Sequence, residues 1–379
     1  ICDKFRKSIA RKTRGFDAPE SCVKTVEAAV NLPFEEGLQV ERELFMELMS
    51  GSQSAAQRYV FFAERQVAKI PDIPKDTPLL DIKKVGIIGA GTMGGGIAMN
   101  FVNAGYEVIL VETQQDFLDR GLAVIKKNYD ITASKGKMTT AEVDQRLSLI
   151  TGVISLEALD DVDLVIEAVY ENMDLKKEIF RKLDGICKAE AILATNTSYL
   201  DVNEIAAQTK RPESVIGLHF FSPANVMRLL EIVRGEKTSK PVLATSLAIA
   251  KKIKKVPAVV GVCFGFAGNR MFAHRKREAD QLLLEGAPAE QLDRVIFDFG
   301  FPMGPFVLSD LIGLDIGWSK ETSSSSSVRE ILCESGRLGL KNGSGYYKYE
   351  AGNRTPIPDP EVMQMIADFA AKQGFEKRE

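Results

Sequence analysis

One histidine of this chain lies where its neighbours would give it acid–base chemistry. His219 ends a predicted strand, and Glu231 follows within the apolar run Leu229–Val233. A carboxylate in an apolar strand is costly to bury unless it is paired. When it bonds an imidazole, it fixes the tautomer of the ring and stabilises the protonated form. The pair therefore predicts a general base that removes a hydroxyl proton. The alternative is a structural histidine and an unrelated buried glutamate.

Two further polar residues are candidates for contact with a substrate oxygen. Ser198 follows a predicted strand, and the alternative role for its hydroxyl is to cap a helix over Val202–Gln208 or to stabilise a turn. Asn269 opens a helical part of the chain, where it would either donate to a developing carbonyl or cap the helix. The second histidine, His274, lies in a basic helical segment and is expected on a solvated face.

A glycine-rich segment has the pattern of a dinucleotide-binding turn. A β-branched run enters Gly89-Ala90-Gly91-Thr92-Met93-Gly94, an apolar helical segment follows, and a second apolar run ends in Glu112. Gly89 permits the tight turn, Gly91 lets the backbone approach a pyrophosphate, and Gly94 lets the helix pack on the strand. The helix N-terminus then offers N–H groups and a positive dipole end to phosphates.

The acidic residue that ends the second strand indicates which dinucleotide binds. Glu112 lies 21 residues after Gly91, where a carboxylate accepts hydrogen bonds from a ribose 2′-OH and repels a 2′-phosphate. The next two residues are Thr113 and Gln114, and neither is an arginine that could bind a 2′-phosphate. The pattern therefore favours NAD over NADP. The alternatives are FAD, which uses the same fingerprint, and a chance cluster of glycines. With NAD, the predicted base would take the hydroxyl proton of an alcohol while a hydride leaves carbon.

Strand and helix patterns alternate after the glycine-rich turn, which predicts a mostly parallel, doubly wound Rossmann-type sheet. Ligands of such sheets bind off the carboxyl ends of the strands, so polar residues at strand ends are candidates. These residues are Glu167, Glu171, Asn196-Thr197-Ser198 and His219. The predicted strands are 85–88, 108–111, 163–169, 191–195, 214–218, 229–233 and 259–262.

The remaining segments are predicted to be helical. A helical arm precedes the sheet, with one helix over 34–66 and a proline-containing linker, and an all-α part follows the sheet, with helices over 269–284, 289–299 and 309–318. The predicted boundaries are a helical arm at 1–80, the dinucleotide-binding domain at 81–263, the helical C-terminal domain at 264–350 and a helical extension at 351–379.

Composition excludes several classes of protein. The 379 residues suit two or three domains, and 45% hydrophobic and 27% charged residues are ordinary for a globular protein. A net charge of −3 argues against a nucleic-acid partner. The five cysteines form no CxxC pair, so we expect a reducing compartment, no disulfide framework and no metal site. No apolar run predicts a membrane span, and the chain begins at Ile1 without a signal peptide, so its ends are interpreted as cut.

Residues 83–349 resemble the L-3-hydroxyacyl-CoA dehydrogenases of fatty-acid β-oxidation. The segments that carry the resemblance are VGIIGAGTMGGGIA, DLVIEAVYENMDLKKEIF, ATNTSYL, GLHFFSPANVMRLLEIV, GFAGNRM, FGFPMGPFVLSDLIGLDIGW and GLKNGSGYYKY. The arm resembles the linker that follows the hydratase domain in multifunctional enzymes of this pathway. The chain thus looks like the dehydrogenase part of a bifunctional enoyl-CoA hydratase/3-hydroxyacyl-CoA dehydrogenase.

The resemblance implies roles for individual residues. His219 would be the base, Glu231 its orienting partner, and Ser198 and Asn269 the contacts to the substrate oxygen. The implied cofactor-binding residues are Gly89, Gly91, Thr92, Met93, Gly94, Glu112, Glu171, Lys176, Asn196, Ser222 and Lys341. The family's HFFNP becomes HFFSP here, so the contact that Ser222 makes is of shorter reach.

The resemblance also implies partners and a location. The expected substrate is an acyl-CoA, the expected cofactor NAD, and the expected location cytoplasmic in a bacterium or peroxisomal, not secreted. Single-function relatives carry one helical C-terminal module and dimerise through it, whereas multifunctional relatives carry two copies packed against each other. The single copy here therefore implies either a homodimer by the same route or the loss of a second copy by truncation. Two other functions stay open: a lyase activity of the intact protein, located in a part outside this chain, and a non-catalytic NAD-binding module.

Overall fold

The computed structural model describes residues 1–378, which form two compact units. Residues 56–270 form the first, here called the sheet unit, and residues 1–55 with the segment from Met271 onward form the second, here called the helical unit. The α-helices are α1 (Cys2–Ile9), α2 (Ala18–Asn31), α3 (Phe34–Ser50), α4 (Ser52–Gln66), α5 (Thr92–Asn103), α6 (Gln115–Ser134), α7 (Thr140–Leu147), α8 (Met173–Ile186), α9 (Val202–Ala206), α10 (Lys240–Lys252), α11 (Gly268–Leu284), α12 (Ala289–Phe299), α13 (Pro305–Ile312), α14 (Val328–Glu334) and α15 (Pro360–Lys372). The β-strands are β1 (Lys84–Ile88), β2 (Glu107–Val111), β3 (Ile150–Val153), β4 (Leu164–Glu167), β5 (Ile192–Thr195), β6 (Val215–Phe220), β7 (Leu229–Arg234), β8 (Val256–Gly261), β9 (Tyr347–Lys348) and β10 (Ile357–Pro358).

Within the described residues, the sheet unit contains one sheet with the strand order β3-β2-β1-β4-β5-β6-β7-β8. All neighbours pair in parallel except β6 and β7, which are antiparallel. The strands are short apolar runs, and β4, β5 and β6 are buried along their whole length because helices cover both faces. The first six strands have the order of a Rossmann fold, which confirms the fold class predicted from the sequence.

The sequence did not predict strand β3 at the edge of this sheet. It has only four residues, and Thr151 and Gly152 interrupt its apolar pattern. Its pairing with β2 therefore depends on the sheet rather than on local propensity. Helix α10 starts at Lys240, with Pro241 in its first turn, where a proline is well tolerated.

Caps and glycines set the ends of other helices. Helix α7 is capped by Thr139, and Thr139 and Glu142 form a reciprocal capping box. The helix predicted over 34–66 is two helices, since Gly51 is extended between α3 and α4.

The helical unit has a core of its own, to which α15 contributes Val362, Ile366 and Phe369. The helix predicted over 309–318 instead spans Pro305–Ile312 and ends at Gly313, which has φ +107°. Its first N–H groups are bonded by a distant carboxylate: Asp293 accepts from Phe306 N at 2.9 Å and from Val307 N at 3.1 Å. A cap supplied from another helix leaves no local sequence signal.

No helix in the described part of the chain has the length and apolar character needed to cross a membrane.

Candidate active site

The antiparallel pairing of β6 and β7 brings His219 and Glu231 together. They are register partners on adjacent strands, so their side chains lie side by side on one face of the sheet. Nδ1 of His219 lies 2.7 Å from Oε2 of Glu231. His219 is 3% exposed and Glu231 is fully buried. The paired arrangement predicted from the two residue types is therefore present in the structure.

The second carboxylate oxygen of Glu231 is bonded by the backbone at the start of α11. Oε1 accepts from Gly268 N at 2.7 Å and from Ala267 N at 3.0 Å. Burial by itself would raise the pKa of Glu231, but the hydrogen bonds from His219, Gly268 and Ala267 outweigh it, and the pKa lies below the usual value. The carboxylate is thus held ionised, and it can accept a hydrogen bond from the Nδ1–H group of the ring. That tautomer leaves Nε2 of His219 as the proton acceptor.

Aromatic rings and one glycine shape the surroundings of the imidazole. The ring of Phe221 lies 4.5 Å from that of His219, and the ring of Phe266 lies 5.6 Å away. A Cβ on Gly268 would lie 2.8 Å from Cζ of Phe221. A larger residue at 268 would therefore push against the ring of Phe221, which packs beside His219. Sequence reasoning missed Gly268, although its place directly before Asn269 is a signal that was available.

Ser198 is held in place by the carboxylate of Glu171. Oε1 of Glu171 accepts from Ser198 N at 2.8 Å, from Tyr199 N at 3.0 Å and from the Thr197 hydroxyl at 2.6 Å. The alternative that Ser198 caps the next helix is wrong, because Asp201 is the N-cap of α9 and accepts from its backbone. Ser198 lies half-buried at the carboxyl end of β5.

Lys176 and Glu167 form a fully buried ion pair beside this cluster. Nζ of Lys176 lies 2.6 Å from Oε1 of Glu167 and 3.6 Å from Oε2 of Glu171. The other oxygen of Glu167 accepts from the Thr195 hydroxyl at 2.7 Å. Sequence reasoning noted Glu167 as a strand-end residue but gave it no partner. The structure shows that it holds the ammonium of Lys176 next to Glu171.

The glycine-rich turn is shaped by its own backbone. Gly89 has φ +99°, and a Cβ on it would lie 2.8 Å from the carbonyl oxygen of Ala168. A Cβ on Gly94 would overlap the carbonyl oxygen of Gly89. A Cβ on Gly91, in contrast, would meet no described atom within 4 Å, so packing within the chain does not require glycine there. Open space at Gly91 fits the close approach of a ligand to the backbone.

The end of this turn fits the phosphates and ribose of a dinucleotide. Helix α5 starts at Thr92, followed by Met93, and no side chain of the residues that the structure describes caps its start. Such an uncapped N-terminus is a site for anions. Glu112 stands beside it: Oε1 accepts from Ala90 N and Oε2 from Thr113 N, both at 2.9 Å. The residues present therefore fit NAD.

Family models match most of the chain. The model for the NAD-binding domain of 3-hydroxyacyl-CoA dehydrogenase matches residues 84–263, and the model for its C-terminal domain matches residues 265–349. The chain belongs to the 3-hydroxyacyl-CoA dehydrogenase family. It is thus an NAD-dependent oxidoreductase, which confirms the family and the cofactor predicted from the sequence.

Relatives of this chain include multifunctional enzymes. The peroxisomal bifunctional enzyme of Cavia porcellus is 40% identical over 98% of this chain and 54% of its own length. The peroxisomal fatty acid beta-oxidation multifunctional protein AIM1 of Arabidopsis thaliana is 39% identical over 91% of this chain and 49% of its own. The chain thus spans about half the length of these relatives.

A solved structure has the same fold. The crystal structure of (S)-3-hydroxybutyryl-CoA dehydrogenase from Ralstonia eutropha aligns with a TM-score of 0.65 and 36% identity, over 71% of this chain and all of that one.

The other predicted site residues lie in different parts of the dehydrogenase. Oδ1 of Asn196 accepts from Phe220 N at 2.8 Å, which ties the end of β5 to the end of β6. Ser222 is exposed in the loop after β6, and Asn269 is half-buried in the first turn of α11. Lys341 lies in the helical unit, where it pairs with Asp315. The contacts of these residues with substrate or cofactor stay predictions.

Proposed function

We propose that this chain oxidises (S)-3-hydroxyacyl-CoA to 3-ketoacyl-CoA with NAD, as a step of fatty-acid β-oxidation. The observation that carries the proposal is the buried pair of His219 and Glu231, joined at 2.7 Å at the end of two strands of a nucleotide-binding sheet. The names of the relatives support the acyl-CoA substrate and the pathway.

The dyad supplies the proton chemistry of the reaction. Nε2 of His219 takes the proton of the 3-hydroxyl, and the positive charge that forms on the ring is stabilised by Glu231. Because backbone N–H groups bond the far oxygen of Glu231, the carboxylate cannot turn away from the ring. Bound NAD supplies a hydride acceptor.

Two polar side chains are proposed to bind the substrate oxygen. Ser198 is positioned through Glu171, and Asn269 follows Gly268, whose N–H group bonds Glu231. The backbone N–H groups of Ser198 and of Gly268, the residue before Asn269, therefore donate to carboxylates of the sheet unit. Hydroxyl and amide donors at this place favour the carbonyl that develops in the product.

The remaining predicted residues are proposed to hold the cofactor. The glycine-rich turn and the start of α5 would bind the pyrophosphate, and Glu112 the adenosine ribose. Glu171 and Lys176 would lie near the second ribose, with Asn196, Ser222 and Lys341 as further contacts. The buried pairing of Lys176 with Glu167 supports a fixed ammonium at this position.

The two histidines provide a matched test of the base. His219→Gln should lower kcat for the oxidation of a 3-hydroxyacyl-CoA by roughly 10²- to 10⁴-fold, because general-base catalysis is worth about that much. His274→Gln should leave kcat unchanged, since His274 is exposed and bonds Arg277. NADH formation measures turnover, and NADH fluorescence measures cofactor binding, which both variants should retain. Full turnover by the His219 variant would show that another group is the base.

The longer relatives suggest activities beyond this chain. We propose that the intact protein is peroxisomal and also hydrates enoyl-CoA, because the bifunctional relatives carry that location in their names and are about twice as long. Crotonyl-CoA without NAD separates the two activities. This chain should leave the enoyl absorbance unchanged, and a decrease would place a lyase within residues 1–379.

We also propose that the chain self-associates through its helical unit. Large apolar side chains are exposed there, among them Phe299 at 80%, Ile316 at 62% and Ile312 at 55%. Apolar exposure of this extent is typical of an interaction surface. Light scattering of the active protein should give twice the mass of one chain. A monomer with full activity would reject the dimer.

A further inference from the structure

The loop between β6 and β7 connects the two strands that carry the dyad. This β6–β7 loop, residues 221–228, follows Phe220 and precedes Leu229. His219 lies two residues before the loop, next to Phe220 at the end of β6, and Glu231 lies three residues after the loop, in β7. A movement of the loop would therefore displace the adjoining ends of both strands. Within the loop, the amides of Val226 and Met227 bond the carbonyl of Pro223 at 2.9 and 3.0 Å.

A buried lysine donates hydrogen bonds to the backbone of this loop. Lys255, the residue before β8, is 7% exposed. Its ammonium donates to the carbonyl of Ala224 at 2.6 Å and to that of Met227 at 2.7 Å. Among the described residues it bonds these neutral carbonyls and no carboxylate. Burial removes water from the ammonium and so lowers the pKa of Lys255.

The cost of this arrangement indicates that the ammonium is there for its hydrogen bonds. A cation without a buried counter-charge is expensive to hold in a protein interior, and an apolar side chain of the same length would avoid that cost. Charge-assisted hydrogen bonds, on the other hand, are short and directional, so they hold carbonyl groups in place. The two carbonyls, of Ala224 and Met227, delimit half of the β6–β7 loop.

The same loop is also bonded to the helix that starts at the glycine-rich turn. The carbonyl of Ala224 accepts a second hydrogen bond, from Nδ2 of Asn100 at 2.9 Å. Asn100 belongs to α5, and Nδ2 also contacts the carbonyl of Gly96 at 3.1 Å. A Cβ on Gly96 would lie 3.1 Å from Cβ of Ala224, so the loop and α5 are in close contact. One carbonyl thus joins Lys255, the loop and the nucleotide-binding helix.

We propose that Lys255 is a positioning residue for the dehydrogenase reaction: it holds the β6–β7 loop against α5 and so fixes His219 relative to the cofactor-binding turn. The proposal rests on the proposed function for its catalytic consequence. It also has a structural consequence that does not depend on activity. Without the ammonium, the loop should open more often, and the amides of Val226 and Met227 should lose protection.

The test compares Lys255→Met with Lys251→Met. Methionine keeps an unbranched side chain and removes the ammonium, and Lys251 is an exposed lysine in the last turn of α10. In Lys255→Met, kcat should fall by about 10- to 100-fold, as expected for a misplaced base, while the Kd for NADH stays within about twofold. Hydrogen exchange at Val226 and Met227 should be about tenfold faster. Lys251→Met should match the wild type in all three measurements.

Each outcome decides the proposal. Unchanged exchange in Lys255→Met overturns it, even if kcat falls, because the loss would not act through the loop. Faster exchange with unchanged kcat also overturns it. A wild-type protein that does not oxidise 3-hydroxyacyl-CoA would refute the proposed function, and the exchange measurement would still decide whether Lys255 holds the loop. If Lys255→Met does not fold, Asn100→Ala removes the other donor to Ala224, and it should speed exchange at the same two amides.

Discussion

At the scale of residues, the site depends on carboxylates that have no freedom to rotate. Both oxygens of Glu231 are bonded, one by His219 and the other by two backbone N–H groups. Glu171 likewise accepts three hydrogen bonds from residues 197–199. Fixed acceptors of this kind orient a base and a substrate contact before the substrate arrives, which lowers the reorganisation that the reaction requires.

The orienting role of Glu231 leads to a prediction. Glu231→Gln should keep a hydrogen bond to the imidazole but lose the charge that stabilises its protonated form. We expect kcat to fall by about 10- to 10²-fold, because a hydrogen bond to a charged group is worth roughly 1.5–3 kcal/mol. NADH formation at saturating substrate measures the effect. Glu236→Gln, at an exposed glutamate just past β7, is the control. A variant at 231 with wild-type kcat would contradict the dyad.

At the scale of elements, the contact between β1 and α5 forms the cofactor turn. The carbonyl of Gly89 lies against Gly94, so the helix starts directly at the end of the strand. Position 95, one residue later, faces Ile125 of α6 with ordinary spacing. The two neighbouring glycines therefore differ in what a methyl group would meet.

This difference predicts a large effect on NADH binding for one alanine substitution and almost none for the other. Gly94→Ala should raise the Kd for NADH by tenfold or more, about 1.4 kcal/mol, because its Cβ would displace the turn. Gly95→Ala should stay within about twofold, since its Cβ would lie 3.5 Å from Cγ1 of Ile125. NADH fluorescence titration measures both, with circular dichroism to verify folding. Equal Kd values for the two variants would show that the Gly94 contact does not shape the cofactor site.

At the scale of the whole molecule, a buried carboxylate makes the stability of the helical unit depend on pH. The helical unit contains a buried carboxylate, Asp310, that accepts from Tyr346 N at 2.9 Å, Tyr347 N at 3.0 Å and the Tyr349 hydroxyl at 3.0 Å. Burial raises the pKa of Asp310 to about 6 despite these bonds. A carboxyl group whose pKa is higher in the folded than in the unfolded protein binds its proton more tightly when folded.

The stability of the helical unit should therefore depend on pH. The stabilisation from the Asp310 proton is full below about pH 4 and is lost as the pH rises through about 6, with a total of roughly 3 kcal/mol at most. Because of Asp310, the helical unit should melt at a higher temperature at pH 5 than at pH 7. Asp310→Asn should reduce this difference between the two pH values, and Asp368→Asn, at an exposed aspartate of α15, should not. An unchanged difference in the Asp310 variant would assign the effect to other groups.

Several features of the protein were predictable because they depend on neighbouring residues. The glycine spacing with Glu112 predicted the nucleotide turn, and short apolar runs predicted most strands of the sheet. Local signals failed where a distant group decides the structure. Strand β3 needs β2 as its partner, and helix α13 needs the Asp293 cap. In both cases the stabilising contact is remote in sequence.

The sequence by itself determined the family, the cofactor and the kinds of side chain available for catalysis. Only the tertiary structure decided which of them meet. The antiparallel turn between β6 and β7 sets the register that joins His219 to Glu231, and a shift by one residue would place them on opposite faces. The partners of Lys176 and Lys255 likewise follow from strand order and loop position. For these two lysines, composition and spacing gave no information on the partners, because contacts between remote residues form only when the whole sheet assembles.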